Sequence, residues 1–110
     1  MVIKLTKENS YLWNKDMRYN LILIKQTERY MNDMLQAKGF VTLCEVENSL
    51  GMTKKIIDFD NNDNVFKTDN VLYAWVLGKD DPIVLKCDPQ ENGDILIDVN
   101  CGEYPLVLNK

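Results

Sequence analysis

The chain has no histidine. That absence removes the commonest general base, the usual partner of a nucleophilic serine or cysteine, and the nitrogen ligand of most zinc and iron sites. Any chemistry is left to carboxylates, lysines and tyrosines, and no motif with a mechanism combines them; a non-enzymatic protein without a cofactor is expected. Cysteine is scarce and odd in number. Cys44, Cys87 and Cys101 lie far apart with no Cys-x-x-Cys spacing, which argues against a disulfide framework and favours a reducing cytoplasm. Each reads as a small buried hydrophobe rather than a ligand. Long apolar runs are missing too. The longest near the start, Leu21-Ile-Leu-Ile24, is four residues and follows Arg18 and Asn20, so neither a membrane span nor a signal peptide is expected.

What is present has the composition of an ordinary folded protein: 110 residues, 45% hydrophobic and 27% charged. That length suits one domain with one core and no separate catalytic unit. Charge is divided unevenly. Residues 1–55 carry a net +3 and residues 56–110 a net −7, so the acidity belongs to one region and not to the average.

Val2-Ile-Lys-Leu-Thr6 alternates weakly and reads as a short strand, broken at Glu8-Asn-Ser10. From Asn14 to Lys38, Met17, Leu21, Ile24, Met31, Met34 and Leu35 follow helical spacing with no Pro or Gly inside, and Gly39 supplies a stop. A second helix spans Thr42 to Leu50. Thr42 and Glu45 have the Thr-x-x-Glu spacing of a capping box, Val41 and Val46 that of a hydrophobic staple, and Gly51 ends the helix. Beyond residue 55 the period changes to two. Strands are read at Val71–Leu77, Ile83–Cys87, Ile95–Cys101 and Leu106–Leu108. All three prolines fall in the connections between them, and Asn92-Gly93 suits a tight hairpin turn. The expected fold is α+β: a long amphipathic N-terminal helix and a short second helix packed on an antiparallel β-meander of about four strands. Residues 1–110 form a single domain on this reading, with 1–55 mainly helical and 56–110 mainly β.

The stretch from Ala37 to Lys55 resembles the front of a helix-turn-helix, and a DNA reader is the minor alternative. A recognition helix after Gly51 would need bases to face phosphates. Thr53-Lys-Lys55 begins that way, but Asp58, Asp60 and Asp63 follow and would face a polyanion, so no direct nucleic-acid partner is expected. Asp58, Asp60, Asn62 and Asp69 occupy calcium-loop positions one, three, five and twelve. The sixth is Asp63 in place of Gly, the twelfth is Asp in place of Glu, and the flanks read as strands. A solvated loop is the preferred reading of that run. Asp80-Asp81 before Pro82 reads as a solvated turn, and Cys44 as a buried helix position without a base to activate it.

Tyr and Trp residues among acids suit a basic protein partner better than a nucleic-acid platform, which needs a basic groove. The residues expected to carry such an interface are Asp58, Asp60, Asp63, Asp69, Tyr73, Trp75, Asp80, Asp81, Asp88 and Asp98.

The block from Asn20-Leu-Ile-Leu-Ile-Lys through Ala37-Lys-Gly-Phe-Val to Glu45-Val-Glu-Asn-Ser-Leu-Gly51 resembles a family of small uncharacterised proteins encoded by phages and prophages of Gram-positive bacteria. Tyr73-Ala-Trp-Val76 is similar to that family's following strand and Ile95–Asn100 to its last one, so the likeness covers roughly residues 20 to 100. Ala74 stands where the family pattern has Gly, and the loop around 58–64 departs from it. The resemblance implies source and no catalytic residue: a phage-type protein of the bacterial host cytoplasm or of a virion. The expected function is therefore binding to a bacterial or phage protein through the acidic β half, as in an inhibitor whose carboxylates occupy a groove meant for phosphates. The alternative is a structural or assembly component of a phage particle that forms a homo-oligomer through the long helix.

Overall fold

A computed structural model describes residues 1–52 and 71–105. In chain order it contains β1 (Val2–Leu5), α1 (Met17–Lys38), β2 (Phe40–Thr42), α2 (Leu43–Ser49), β3 (Val71–Val76), β4 (Leu85–Pro89), β5 (Ile95–Val99) and β6 (Gly102–Pro105). The class is α+β, as expected. The strands do not form one meander. They make two three-stranded antiparallel sheets, ordered β1-β5-β4 and β2-β3-β6.

Local chemistry explains the helices. Asp16 caps α1 by accepting from the Arg18 amide, and Asn14 and Asn20 exchange two hydrogen bonds of 2.7–2.8 Å just before it. The helix therefore starts at Met17 and not at Asn14. Gly39, at φ 91°, ends it and returns its amide to the Leu35 carbonyl at 2.8 Å. The Thr42–Glu45 capping box of α2 is formed in both directions. Val41 and Val46, the expected staple, are both fully buried. Lys38 closes on Glu45 at 2.8 Å, tying the end of α1 to the start of α2.

Strand pairing departs from the sequence expectation in three places. β4 runs from Leu85 to Pro89, two residues later than expected, because side chains of α1 take the backbone that precedes it. The Ile83 amide donates to Asn32 Oδ1 at 2.8 Å, the Asn32 amide donates back to the Ile83 carbonyl at 3.0 Å, and the Leu85 amide donates to Glu28 Oε2 at 2.8 Å. The helix thus stands in for a neighbouring strand at that edge. Gly102–Pro105, expected to be a connection, pairs with β3 as β6, and the expected strand at 106–108 lies outside the described residues. Phe40–Thr42 pairs with β3 as an additional short strand, β2. Pro89 and Pro105 accordingly sit at the ends of strands; only Pro82 lies in a turn.

One core joins both sheets and both helices. Ile24, Met31 and Leu35 of α1, Val46 of α2, Leu5, Ile95 and Ile97 of the first sheet and Val41 and Trp75 of the second are each at most 2% exposed. Such a side chain contributes about 1.5–3 kcal/mol when removed from water. Asn100 bridges the sheets polar atom by polar atom. Its Oδ1 accepts from Trp75 Nε1 at 2.7 Å and from the Val84 amide at 2.9 Å, while its Nδ2 donates to the Pro82 carbonyl at 2.9 Å.

Candidate functional site

The expected interface residues separate into four groups. Asp58, Asp60, Asp63 and Asp69, together with the calcium-loop candidate Asn62, lie outside the described residues, as does the would-be recognition helix after Gly51.

Trp75 is corrected from surface to core. It is fully buried and its indole N–H is taken by Asn100, because it faces Val41 across the β2–β3 pair, on the side where the core lies. Tyr73, two residues away and so on the same face, packs partly against the core.

Asp80 and Asp81 hold their own turn together. Asp80 accepts from the Val76 amide at 2.9 Å and from the Tyr104 hydroxyl, and Asp81 accepts from the Gly78 amide at 2.7 Å. The carboxylate bound to Tyr104 pushes that phenol up to about 12, and the Lys79 ammonium sits 5.0 Å above its ring. These oxygens are committed to backbone amides and a phenol, so the pair, expected as a solvated turn, serves to hold that turn.

Asp88 and Asp98 share the outer face of the β1-β5-β4 sheet. Register places Val2, Asp98 and Lys86 in one row across it, and Lys4, Leu96 and Asp88 in the next. Two carboxylates and two lysines therefore share that face; Lys86 stands directly opposite Asp98, whereas Leu96 separates Lys4 from Asp88. At the hairpin end the balance is more acidic. Asp88, Glu91 and Asp94, with Lys4 opposite, border a shallow cleft of about 700 Å³. Among the described residues Asp80 and Asp81 thus lie at a turn, while Asp88 belongs both to the lysine-bearing sheet face beside Asp98 and to the acidic hairpin tip.

The cysteines also need correction. Cys44 is exposed, not buried, because the buried side of α2 is set by Leu43 and Val46. Cys87 and Cys101 are half-buried, and burial pushes both thiols up, away from the thiolate form. Among the described residues no group of three or more His, Cys, Asp or Glu could hold a metal ion. No helix among them is long and apolar enough to cross a membrane.

The surface that sequence reasoning missed lies on α1. At about 100° per residue, the buried line Asn20, Ile24, Thr27, Met31 and Leu35 leaves Tyr19, Ile22, Gln26, Arg29, Tyr30 and Asp33 on the outward side. Three of these are large and apolar in bulk, yet exposed: Tyr19 at 59%, Ile22 at 50% and Tyr30 at 58%. Ile22, Lys25, Gln26, Arg29, Tyr30 and Asp33 line a depression of about 380 Å³ there. The signal was available as a second three-four spacing, Tyr19, Ile22, Gln26, Arg29 and Asp33, running opposite the core stripe. Comparison of the chain with protein-family models, curated proteins and solved structures returns no match.

Proposed function

We propose that the protein is a non-enzymatic binding module of phage type, working in the bacterial host cytoplasm, that engages a bacterial or phage protein through the outward face of α1. The observation that carries this reading is the line of exposed Tyr19, Ile22 and Tyr30 on one helix face. Aromatic side chains are the usual anchors of protein interfaces, and an apolar stripe rimmed by charge suits a protein partner better than bulk water. Lys25 and Arg29 at its rim give the face a basic margin with Asp33 as the acid among them.

A second reading keeps the acidic inhibitor. The three carboxylates around the hairpin cleft, Asp88, Glu91 and Asp94, favour a basic partner there, by complementary charge rather than by apolar contact. One experiment separates the two. Tagged wild-type protein, the double variant Ile22→Ser/Tyr30→Ser and the double variant Asp88→Lys/Asp94→Lys are each incubated with the proteins of an infected bacterial lysate. Loss of the captured partner in the helix variant alone supports the α1 reading. Loss in the hairpin variant alone replaces it with the acidic one.

A further inference from the structure

We propose that the open edge of β4 binds an extended peptide segment of a protein partner, which adds a strand beside Cys87 and carries a base, an apolar residue and an acid in that order. This surface is separate from the outward face of α1.

Pairing within the first sheet decides which backbone groups are free. Val99 donates its amide to the Met1 carbonyl at 2.9 Å, so Ile95, Ile97 and Val99 turn their backbone groups toward β1, and Leu96 and Asp98 turn theirs toward β4. Lys86 and Asp88 therefore bond to β5, while Leu85, Cys87 and Pro89 point away from it. The protein blunts most of its edge groups itself. Asn9 Nδ2 donates to the Lys4 carbonyl on the β1 edge at 2.7 Å, and Glu28 takes the Leu85 amide at 2.8 Å. Pro89 has no amide to offer. Cys87 keeps an amide and a carbonyl that no described residue takes. One residue of an added antiparallel strand satisfies both.

A groove lies beside these groups. Leu21, Ile24 and Lys25 of α1 and Leu85, Cys87 and Pro89 of β4 line a space of about 510 Å³. The Leu85–Glu28 bond closes one end and Pro89 marks the other, so Cys87 sets the register of the guest. Side chains alternate across the sheet. The guest residue opposite Cys87 points under α1, toward Leu21 and Ile24, and suits an apolar side chain. Its two neighbours lie on the outer face, at the ends of the rows Val2, Asp98, Lys86 and Lys4, Leu96, Asp88. Neither Lys86 nor Asp88 forms an ion pair among the described residues, so an acid beside Lys86 and a base beside Asp88 complete the rows. An antiparallel guest then reads base, apolar, acid from its N-terminus.

β4 itself has this order in Lys86-Cys87-Asp88, but a second copy fits poorly. Glu28 and Asn32 reach backbone groups that point away from β5, so α1 overhangs the edge. A two-fold axis at Cys87 would bring α1 against α1 and Lys25 against Lys25, and like charges so placed oppose association. A single extended segment brings neither.

NMR titration of the isotope-labelled protein with short synthetic peptides tests the proposal. A peptide with the core Thr-Lys-Val-Glu-Thr should bind and slow solvent exchange of the Cys87 amide. Methylating the valine nitrogen removes the donor that meets the Cys87 carbonyl, and should weaken binding on the order of tenfold. Methylating the glutamate nitrogen, which faces away from β4, should not. Asp88→Lys, an exposed change, should shift preference from this core to Thr-Glu-Val-Glu-Thr. No binding at about 1 mM peptide, equal losses from the two methylations, or a preference unmoved by Asp88→Lys overturns the proposal. Slowing of Cys87 amide exchange by rising protein concentration alone also overturns it, and assigns the edge to a second copy.

Discussion

The two sides of α1 are made from similar residues and meet different fates. Toward the sheets, Ile24, Met31 and Leu35 are sealed in the core, and Glu28 and Asn32 hold the backbone of residues 83–85. Away from them, Ile22, Tyr19 and Tyr30 remain half or more exposed. Hydrophobicity alone does not distinguish Ile22 from Ile24; position on the helix does. The contrast teaches that the inward side is committed to stability and the outward side is spare, so changes to the two should separate folding from binding.

The largest effect should come from the core side. Leu35 is fully buried, and Leu35→Ala should cost about 2–5 kcal/mol of unfolding free energy, through lost burial and the cavity left behind. Urea denaturation followed by circular dichroism measures it. A smaller loss is expected from the polar latch beside it. Asn32→Ala strands both the amide and the carbonyl of Ile83 and should cost about 1–3 kcal/mol. If Asn32→Ala were neutral, the latch would be an incidental contact and the position of β4 would need another cause. On the outward side, Ile22→Ser and Tyr30→Ser should change stability by only about 0.5 kcal/mol or less, as surface substitutions generally do. A loss as large as that of Leu35→Ala would erase the distinction between the two sides.

A pH titration sharpens a second contrast, between a phenol held protonated and a carboxyl held ionised. Tyr104 donates to Asp80 and is held at about 12, above its ordinary 10.0. The folded state keeps this proton where the unfolded chain has released it, so the stabilisation is complete below the ordinary value and is lost as pH rises through the folded one. Near-ultraviolet absorbance should show one of the five tyrosines titrating late, and Asp80→Asn should bring it earlier. Glu45 behaves in the opposite sense. Burial opposes ionisation there, but the hydrogen bonds from Lys38 and from the Thr42 amide hold its carboxyl below the ordinary range. Its contribution is present above the unfolded value and fades as pH falls through the folded one. Lys38→Ala should therefore weaken this acid sensitivity, whereas Thr42→Ala, which removes the hydroxyl that accepts from the Glu45 amide, should cost roughly 1 kcal/mol for the cap itself.

Much of the helical half was legible because its signals are local. The Thr42–Glu45 box, the Val41–Val46 staple and the glycine stop at Gly39 each depend on residues within a turn of one another. The alternation of Ile95, Ile97 and Val99 was equally local and correctly gave a strand with a buried face. The sheet arrangement was not legible in this way. That β5 takes β1 as one neighbour depends on contacts between residues 90–96 positions apart, and that β6 joins β3 depends on contacts 28–34 positions apart. Asn100 is a case in point: its three hydrogen bonds join segments that sequence spacing cannot bring together. Of the candidate surface, the acids were legible as a count but not as a pattern. Asp98 acquires Lys86 as its neighbour only through strand register, and Trp75 turns inward for the same reason. The α1 stripe was written in the sequence as a second periodicity and was masked by the stronger one that forms the core.

The central claim is that the outward face of α1 is a docking surface that folding does not need. Capture from an infected bacterial lysate tests it most directly, on the wild type and on Ile22→Ser/Tyr30→Ser. The account predicts that the wild type retains a partner protein and that the variant loses it while its far-ultraviolet circular dichroism stays unchanged. A folded variant that retains the partner as well as the wild type would contradict it.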